Sequence, residues 1–435
     1  MRARVPGDKS LTQRALILAA LATGESRLTG LLHGGDAAST AGALRALGAE
    51  IPALPPDGGE VRIQGVGLQG LRAPTGPLDL GNSGTGTRLL MGVLAGCDAK
   101  AVLTGDASLR QRPMARVIDP LTKMGASVQY LGEVGRLPVS IEGRRPLAAI
   151  DWPSPVASAQ VKSAILLAGL TSGAFALVTE PRQSRDHTER LFRSVGVSVV
   201  EHPVAEGWRV EMRDPPETLR PLEFDVPGDV SSAAFLFAAA ALGGAGPEGI
   251  TVERVGLNPT RTAFLDVLER MGALIDIEME GGSQAPDQEP VGDVSVRPGG
   301  LTATIVGGEE VPRLIDEIPL VAALGARAKG TTKISDAIEL RAKESDRIDA
   351  VVKNLRGLGV EVTEYQDGLE VQGTDDPLRG QVRAFHDHRI AMSFSVLNTV
   401  RSCDIEVDDR AVAGVSFPGF WGLMAEVERA RRRSE

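Results

Sequence analysis

The chain has 435 residues, of which 42% are hydrophobic, 24% charged and 3% aromatic, with a formal net charge of -10 and a pI near 5.3. That length exceeds what one hydrophobic core usually supports, so two domains are expected, and the apolar content excludes a disordered chain. The acidic balance and scarce aromatic rings argue against general affinity for nucleic acid or anionic membranes and against base-stacking platforms, so any basic site must be local.

The start, Met1-Arg2-Ala3-Arg4-Val5-Pro6-Gly7-Asp8, lacks the apolar core of a signal peptide. The apolar run Ala15 to Ala22 is far shorter than the ~20 residues of a membrane span. A cytoplasmic chain is expected. Cys97 and Cys403 show neither metal-ligand spacing nor a disulfide framework, which suits a reducing compartment, and both read as small core residues.

The clearest organisational signal is a repeat. Helical stretches end in related phrases: Ala46-Leu47-Gly48-Ala49, Lys123-Met124-Gly125-Ala126, Ser194-Val195-Gly196-Val197, Arg270-Met271-Gly272-Ala273 and Gly357-Leu358-Gly359-Val360. In each, glycine supplies the left-handed residue that ends a helix, and alternating apolar residues then start a strand. Upstream, polar or Gly-containing turns open Ala/Leu-rich helices, at Pro6 to Ser10, Gly81 to Thr85, Pro155 to Ser158 and Pro227 to Ser231. More divergent openings stand at Glu317-Ile318-Pro319 and at Phe385 to Arg389.

Together these give roughly six α/β units of pattern β-α-β-α-β-β, most simply arranged in two lobes. The matching phrases Val5-Pro6-Gly7-Asp8 and Val226-Pro227-Gly228-Asp229 mark the crossovers. One lobe is expected over 8–226, and the other over 1–7 plus 227–435. The segment Gly281 to Pro290 reads as a solvated loop without chemistry.

Candidate chemistry follows the same order. Ser10-Leu11-Thr12-Gln13 fits a capping box with Ser10 at the N-cap, and Lys9 and Arg14 place positive charge beside free helix amides that attract anions. A solvated Lys and Arg on a surface turn is the plain alternative. Asn82-Ser83-Gly84-Thr85-Gly86-Thr87-Arg88 offers backbone amides to an anion, but lacks the spacing of a Walker loop or a dinucleotide fingerprint. Arg112-Pro113 and Ser184-Arg185-Asp186-His187-Thr188 add arginines in polar turns, where carboxylate or phosphate can be held bidentately.

Asp316 stands in apolar text, as a helix cap or a reactive group. If Arg341 to Arg347 is helical, Lys343, Glu344 and Arg347 share a face, either as a site or as a surface ion-pair stripe. His386 and His388 lie two apart with no third ligand near, so no metal is expected, and Arg389 at a helix start is the better anion ligand.

Taken in order, Pro6-Gly7-Asp8-Lys9-Ser10 with Arg14, Leu80-Gly81-Asn82-Ser83-Gly84-Thr85, Arg112-Pro113, Ser158-Ala159-Gln160, Ser184-Arg185-Asp186-His187-Thr188, Lys343-Glu344-Ser345-Asp346-Arg347 and Asp387-His388-Arg389 resemble the 5-enolpyruvylshikimate-3-phosphate synthase family. The resemblance spans about residues 5 to 420 and implies a two-lobed, inside-out barrel-like fold with three units per lobe. It implies transfer of the enolpyruvyl group of phosphoenolpyruvate to the 5-hydroxyl of shikimate 3-phosphate, in aromatic amino acid biosynthesis, through a tetrahedral intermediate.

Carried over by position, Lys9, Ser10, Arg14, Ser158, Gln160, Arg185, Asp316 and Lys343 would hold shikimate 3-phosphate. Lys9, Gly84, Arg112, Gln160, Arg347 and Arg389 would hold phosphoenolpyruvate. Asp316, Glu344 and Lys9 are the acid-base candidates, because the hydroxyl must lose a proton while the methylene gains one. Ligands drawn from both lobes imply closure on binding. No cofactor, no nucleic-acid or membrane partner and a monomer are expected.

Departures are Ala159, where some relatives carry a second Ser, and Val415, where some carry a Lys before Phe417-Pro418. The amino-terminal strand is also short. The competing readings are an enolpyruvyl transferase acting on a UDP-amino sugar, whose members typically have a reactive loop Cys and Asn after the early Lys, and an RNA-end-processing or binding protein sharing the repeat.

Overall fold

A computed structural model describes residues 1–281, 285 and 287–434. One compact unit comprises Met1–Pro6 with the described residues of 227–283 and 290–435; the other comprises Gly7–Val226 with the described residues of 284–289.

The strands form small mixed sheets with one recurring wiring. Leu78–Asp79 lies parallel to Lys100–Thr104, which is antiparallel to Val139–Glu142, itself antiparallel to Ser127–Tyr130. The same order recurs through Ile150–Pro153, Ala176–Glu180, Gly207–Met212 and Val200–Val204. In the other unit it recurs through Arg2–Ala3, Ile250–Gly256, Val291–Arg297 and Leu274–Met279. It appears again through Ile305–Val306, Thr331–Ile334, Gly368–Gln372 and Val362–Tyr365.

Two sheets are shorter versions. Glu223–Asp225 runs parallel to Thr23–Thr29, which pairs antiparallel with Val61–Val66, and Arg379–Val382 runs parallel to Asp404–Val407. The fold is therefore a mixed α/β repeat. The expected helix-ending glycines have the geometry that their role demands: Gly48, Gly125, Gly196, Gly272 and Gly359 all have φ between 84° and 110°.

Within each unit, apolar helices are buried along almost their whole length. They are Lys9–Leu21, Gly84–Ala95 and Ala159–Ser172 in one, and Val230–Ala241, Ile318–Gly325 and His388–Val396 in the other. A helix apolar on all sides has no solvent face to offer and belongs in a core. Each fully buried leucine, such as Leu89, Leu90 or Leu94, contributes roughly 1.5–3 kcal/mol.

Close approach between two of them depends on Gly92, where a Cβ would fall 2.3 Å from the carbonyl oxygen of Ala164. Outer helices such as Ala115–Met124, His187–Ser194 and Ala263–Arg270 bury one face only. Every one of the six core helices opens on a polar turn, so apolar burial of the helix bodies fixes the positions of N-termini whose first amides lack helical partners.

Cys97 is buried, and burial pushes its thiol up to about 12, whereas Cys403 is only half-buried against the core. Part of the Gly281 to Pro290 segment, 282–284 and 286, lies outside the described residues. Asp287 and Gln288 are exposed, as expected, but the last two residues are buried: Glu289 has Oε1 2.7 Å from Nδ1 of His187, and the Gln288 carbonyl accepts from Arg190. Pairing with His187 offsets the cost of burying that carboxylate. Among the described residues, no helix is long and apolar enough to cross a membrane.

Candidate active site

In the unit built on Gly7–Val226, the helix Lys9–Leu21 is capped by Asp8 rather than by Ser10. The Leu11 amide donates to Asp8 Oδ1 at 2.8 Å, and Gln13 turns away to donate to Ser83 Oγ at 2.9 Å. The carboxylate two residues earlier takes the cap, because the helix dipole favours an acid at the N-terminus and the bond to it is charge-assisted. Lys9 consequently sits in the first turn, its Nζ 3.1 Å from Asp36 Oδ2, with Ser10 beside it.

Arg14 is buried and donates to Thr188 Oγ1 at 2.7 Å, Ser163 Oγ at 3.0 Å and the Ser10 carbonyl at 3.2 Å. Burial lowers its pKa to about 10, so it remains a cation at neutral pH.

The Gly84 turn gathers more of the set. Ser83 caps the helix Gly84–Ala95 by accepting from the Gly86 amide at 3.1 Å. Arg112 Nη2 donates to Asn82 Oδ1 at 2.6 Å, while Gln160 Nε2 donates to Thr85 Oγ1 at 2.9 Å. Arg88 bridges them, donating to Gln160 Oε1 at 2.6 Å and the Pro113 carbonyl at 3.0 Å. A Cβ at position 84 would meet Arg112 Nη1 at 2.7 Å, so glycine is what lets the guanidinium lie across the turn.

Ser158 caps Ala159–Ser172, and its amide donates to Glu180 Oε1 at 2.7 Å. Ser184, immediately before Arg185, donates to the same carboxylate.

In the other unit, Lys343-Glu344-Ser345-Asp346 is not helical. The helix begins at Arg347 with Asp346 as its cap, accepting from the Asp349 amide at 3.0 Å. The cap stops the helix from extending backwards, and a turn rather than a helix face brings the charges together.

Arg347 is only 2% exposed and is surrounded by acids. It donates to Asp316 Oδ1 at 3.2 Å, to Glu344 Oε2 at 2.7 Å and to Asp387 Oδ2 at 2.8 Å. Lys343 Nζ lies 3.4 Å from the same Asp316 oxygen. Burial opposes the charge on Arg347, but Asp387, Glu344 and Asp316 together outweigh it and hold the guanidinium above its ordinary pKa. A solvated ion-pair stripe is therefore ruled out.

Asp387 also caps the helix His388–Val396 through the Arg389 amide at 2.8 Å. Arg389 Nη1 lies 3.3 Å from Glu317 Oε1, which in turn accepts from Ser231 Oγ.

The structure thus groups Asp316, Lys343, Glu344 and Arg347 directly, with Arg389 joined to Arg347 through Asp387. Sequence patterns do not single out Arg88, Lys162, Glu180, Glu189 or Glu317. For Arg88 and Lys162 the available signal was a charge inside apolar helical text, which a buried helix tolerates only with a partner; Glu180 at a strand end, Glu189 in a polar helix and Glu317 at a helix cap carry no such signal. Among the described residues, no group of three His, Cys, Asp or Glu side chains could hold a metal; His386 is exposed and His388 buried.

The whole chain has the fold of the enolpyruvyl transferases. It matches the enolpyruvyl transferase NikO from Streptomyces tendae at a TM-score of 0.73 and 17% identity, over 98% of this chain and 94% of that one. EPSP synthase from Acinetobacter baumannii superposes with a TM-score of 0.82 at 39% identity, over 98% and 95% of the two chains. The family model for EPSP synthase (3-phosphoshikimate 1-carboxyvinyltransferase) matches residues 2–424.

Proteins of that name from Alkalilimnicola ehrlichii and Desulforamulus reducens are 47% and 46% identical, covering 100% and 97% of this chain and 94% and 96% of theirs. The chain belongs to the EPSP synthase family.

Proposed function

We propose that the chain transfers the enolpyruvyl group of phosphoenolpyruvate to the 5-hydroxyl of shikimate 3-phosphate, with release of phosphate. The observation that carries this reading is the Arg347 cluster, in which two carboxylates, Asp316 and Glu344, share one buried guanidinium. The reaction needs two proton-transfer groups of this kind beside an anion-holding cation.

In the addition step, the 5-oxygen forms a bond to C2 of phosphoenolpyruvate, losing its proton as C3 gains one. In the elimination step, C3 gives up a proton and the C2–O bond to phosphate breaks. Asp316 accepts the hydroxyl proton, Glu344 exchanges the proton at C3, and Lys9 assists. Shikimate 3-phosphate is held by Lys9, Ser10, Arg14, Ser158, Gln160, Arg185, Asp316 and Lys343. Phosphoenolpyruvate is held by Lys9, the Gly84 turn, Arg112, Gln160, Arg347 and Arg389.

Both substrates are polyanions, which accounts for concentrated cations in a chain of net charge -10. Lobes over 8–226 and over 1–7 plus 227–435, a monomer and a cytoplasmic location complete the reading.

The alternative acceptor, a UDP-amino sugar, is disfavoured by two residues. Ser10 stands where Asn is expected, and the Cys97 thiol, pushed up to about 12 by burial, is far from the reactive thiolate of that chemistry. Phosphate release from phosphoenolpyruvate with each acceptor in turn tests the proposal. Turnover confined to shikimate 3-phosphate is expected, and turnover confined to the UDP-amino sugar contradicts it.

A further inference from the structure

The helix Ala159–Ser172 carries one charge in otherwise apolar and small-residue text, Lys162, one turn below its cap Ser158. Its side chain has no solvent exposure. The Nζ lies 2.8 Å from Glu189 Oε1 and 3.2 Å from Glu180 Oε2, and it donates to the Ser184 carbonyl at 3.4 Å. Glu180 also holds the two polypeptide segments that flank the candidate binding residues. Its Oε1 accepts from the Ser158 amide at 2.7 Å, and the Ser184 hydroxyl, one residue before Arg185, donates to Oε1 at 2.9 Å and Oε2 at 2.7 Å.

A buried ammonium with two buried carboxylates is an inefficient way to hold a core together, since apolar side chains of similar volume do it as well or better. What charged groups add is direction. One cation fixes one carboxylate, and that carboxylate fixes both the start of a helix and the start of the Arg185 turn.

We propose that Lys162, acting through Glu180, is a positioning residue that sets Ser158 and Arg185 for the phosphorylated acceptor, without itself touching substrate. The inference rests on the functional reading above and deepens it. It assigns this network to acceptor affinity rather than to proton transfer or to phosphoenolpyruvate, whose candidate ligands Arg112, Arg347 and Arg389 make none of these bonds.

Two variants test it in the full chain. Lys162→Met/Glu189→Gln removes the cation together with one carboxylate, so that two uncompensated acids are not left behind. Ser184→Ala removes one hydroxyl from the network and retains the fold. Wild-type turnover is measured first, then the affinity for shikimate 3-phosphate by titration calorimetry, then kcat and both KM values.

The expected result is acceptor affinity weakened about tenfold in the double variant and at least threefold in Ser184→Ala, with kcat and the KM for phosphoenolpyruvate within about twofold of wild type. Ser184→Ala with unchanged acceptor affinity overturns the inference, whether or not the double variant folds; so does an equal loss for both substrates. A wild-type chain that does not turn over shikimate 3-phosphate overturns the functional reading instead, and this inference with it.

Discussion

Asp387 binds Arg347 through its carboxylate at 2.8 Å and, with the other oxygen, caps the helix that carries Arg389. One buried acid therefore orients two of the candidate phosphoenolpyruvate ligands at once. Deleting Asp387 removes one of the three acids around buried Arg347 together with the cap of the next helix, so Asp387→Ala is expected to lose about 3–5 kcal/mol of stability. Asp387→Asn, which keeps the volume and one acceptor, should lose less stability but raise the KM for phosphoenolpyruvate. Urea unfolding and steady-state kinetics on both variants check this.

Glu344 and Asp316 are proposed as the proton-transfer groups. Glu344→Gln and Asp316→Asn should keep the fold and substantial substrate binding, while single-turnover rates fall about 100-fold or more. If these side chains only balanced the charge of Arg347, melting temperature would move and the single-turnover rate would stay near normal.

Gly84 tests the close packing of a guanidinium on a turn. Gly84→Ala places a methyl 2.7 Å from Arg112 Nη1, the far end of a flexible side chain. The expected outcome is a KM for phosphoenolpyruvate raised about tenfold, with a melting temperature within ~2 °C of wild type, since a displaced side-chain end costs little stability. An unchanged KM would separate Arg112 from that substrate.

The repeat was legible because its grammar is backbone chemistry: positive-φ glycines that close helices and polar turns that open others, read directly from phrases such as Met124-Gly125-Ala126. Most ligand candidates were legible as cations in polar turns. What was not legible depended on competition between neighbours. Asp8 and Ser10 are both good caps, and only packing shows that Asp8 takes the amide. Asp346 likewise stops a helix that spacing alone would extend through Lys343. Lys162, Glu180 and Glu189 are distant in sequence and meet only through the fold, as do Glu289 and His187.

Burial pushes the Glu189 carboxyl up to about 7 from an ordinary 4.5, against the opposing pull of Lys162. Because the folded value is raised, its contribution to stability is fully present below about pH 4.5 and is lost as pH rises through 7. Unfolding free energy of the wild type should therefore fall more than that of Glu189→Gln as pH rises from about 4.5 to about 8. Parallel pH profiles for the two proteins would contradict this.

The Arg347 cluster, with its two acids, is proposed to work on the shikimate 3-phosphate and phosphoenolpyruvate pair. Rapid-quench single turnover of wild type, Glu344→Gln and Asp316→Asn with both substrates, following phosphate and enolpyruvyl product together, measures that work. Stoichiometric phosphate and product are expected in the wild type, with a chemical step slowed about 100-fold or more in each variant at saturating substrate. Phosphate release without enolpyruvyl product in the wild type, or near-normal single-turnover rates in both variants, would contradict it.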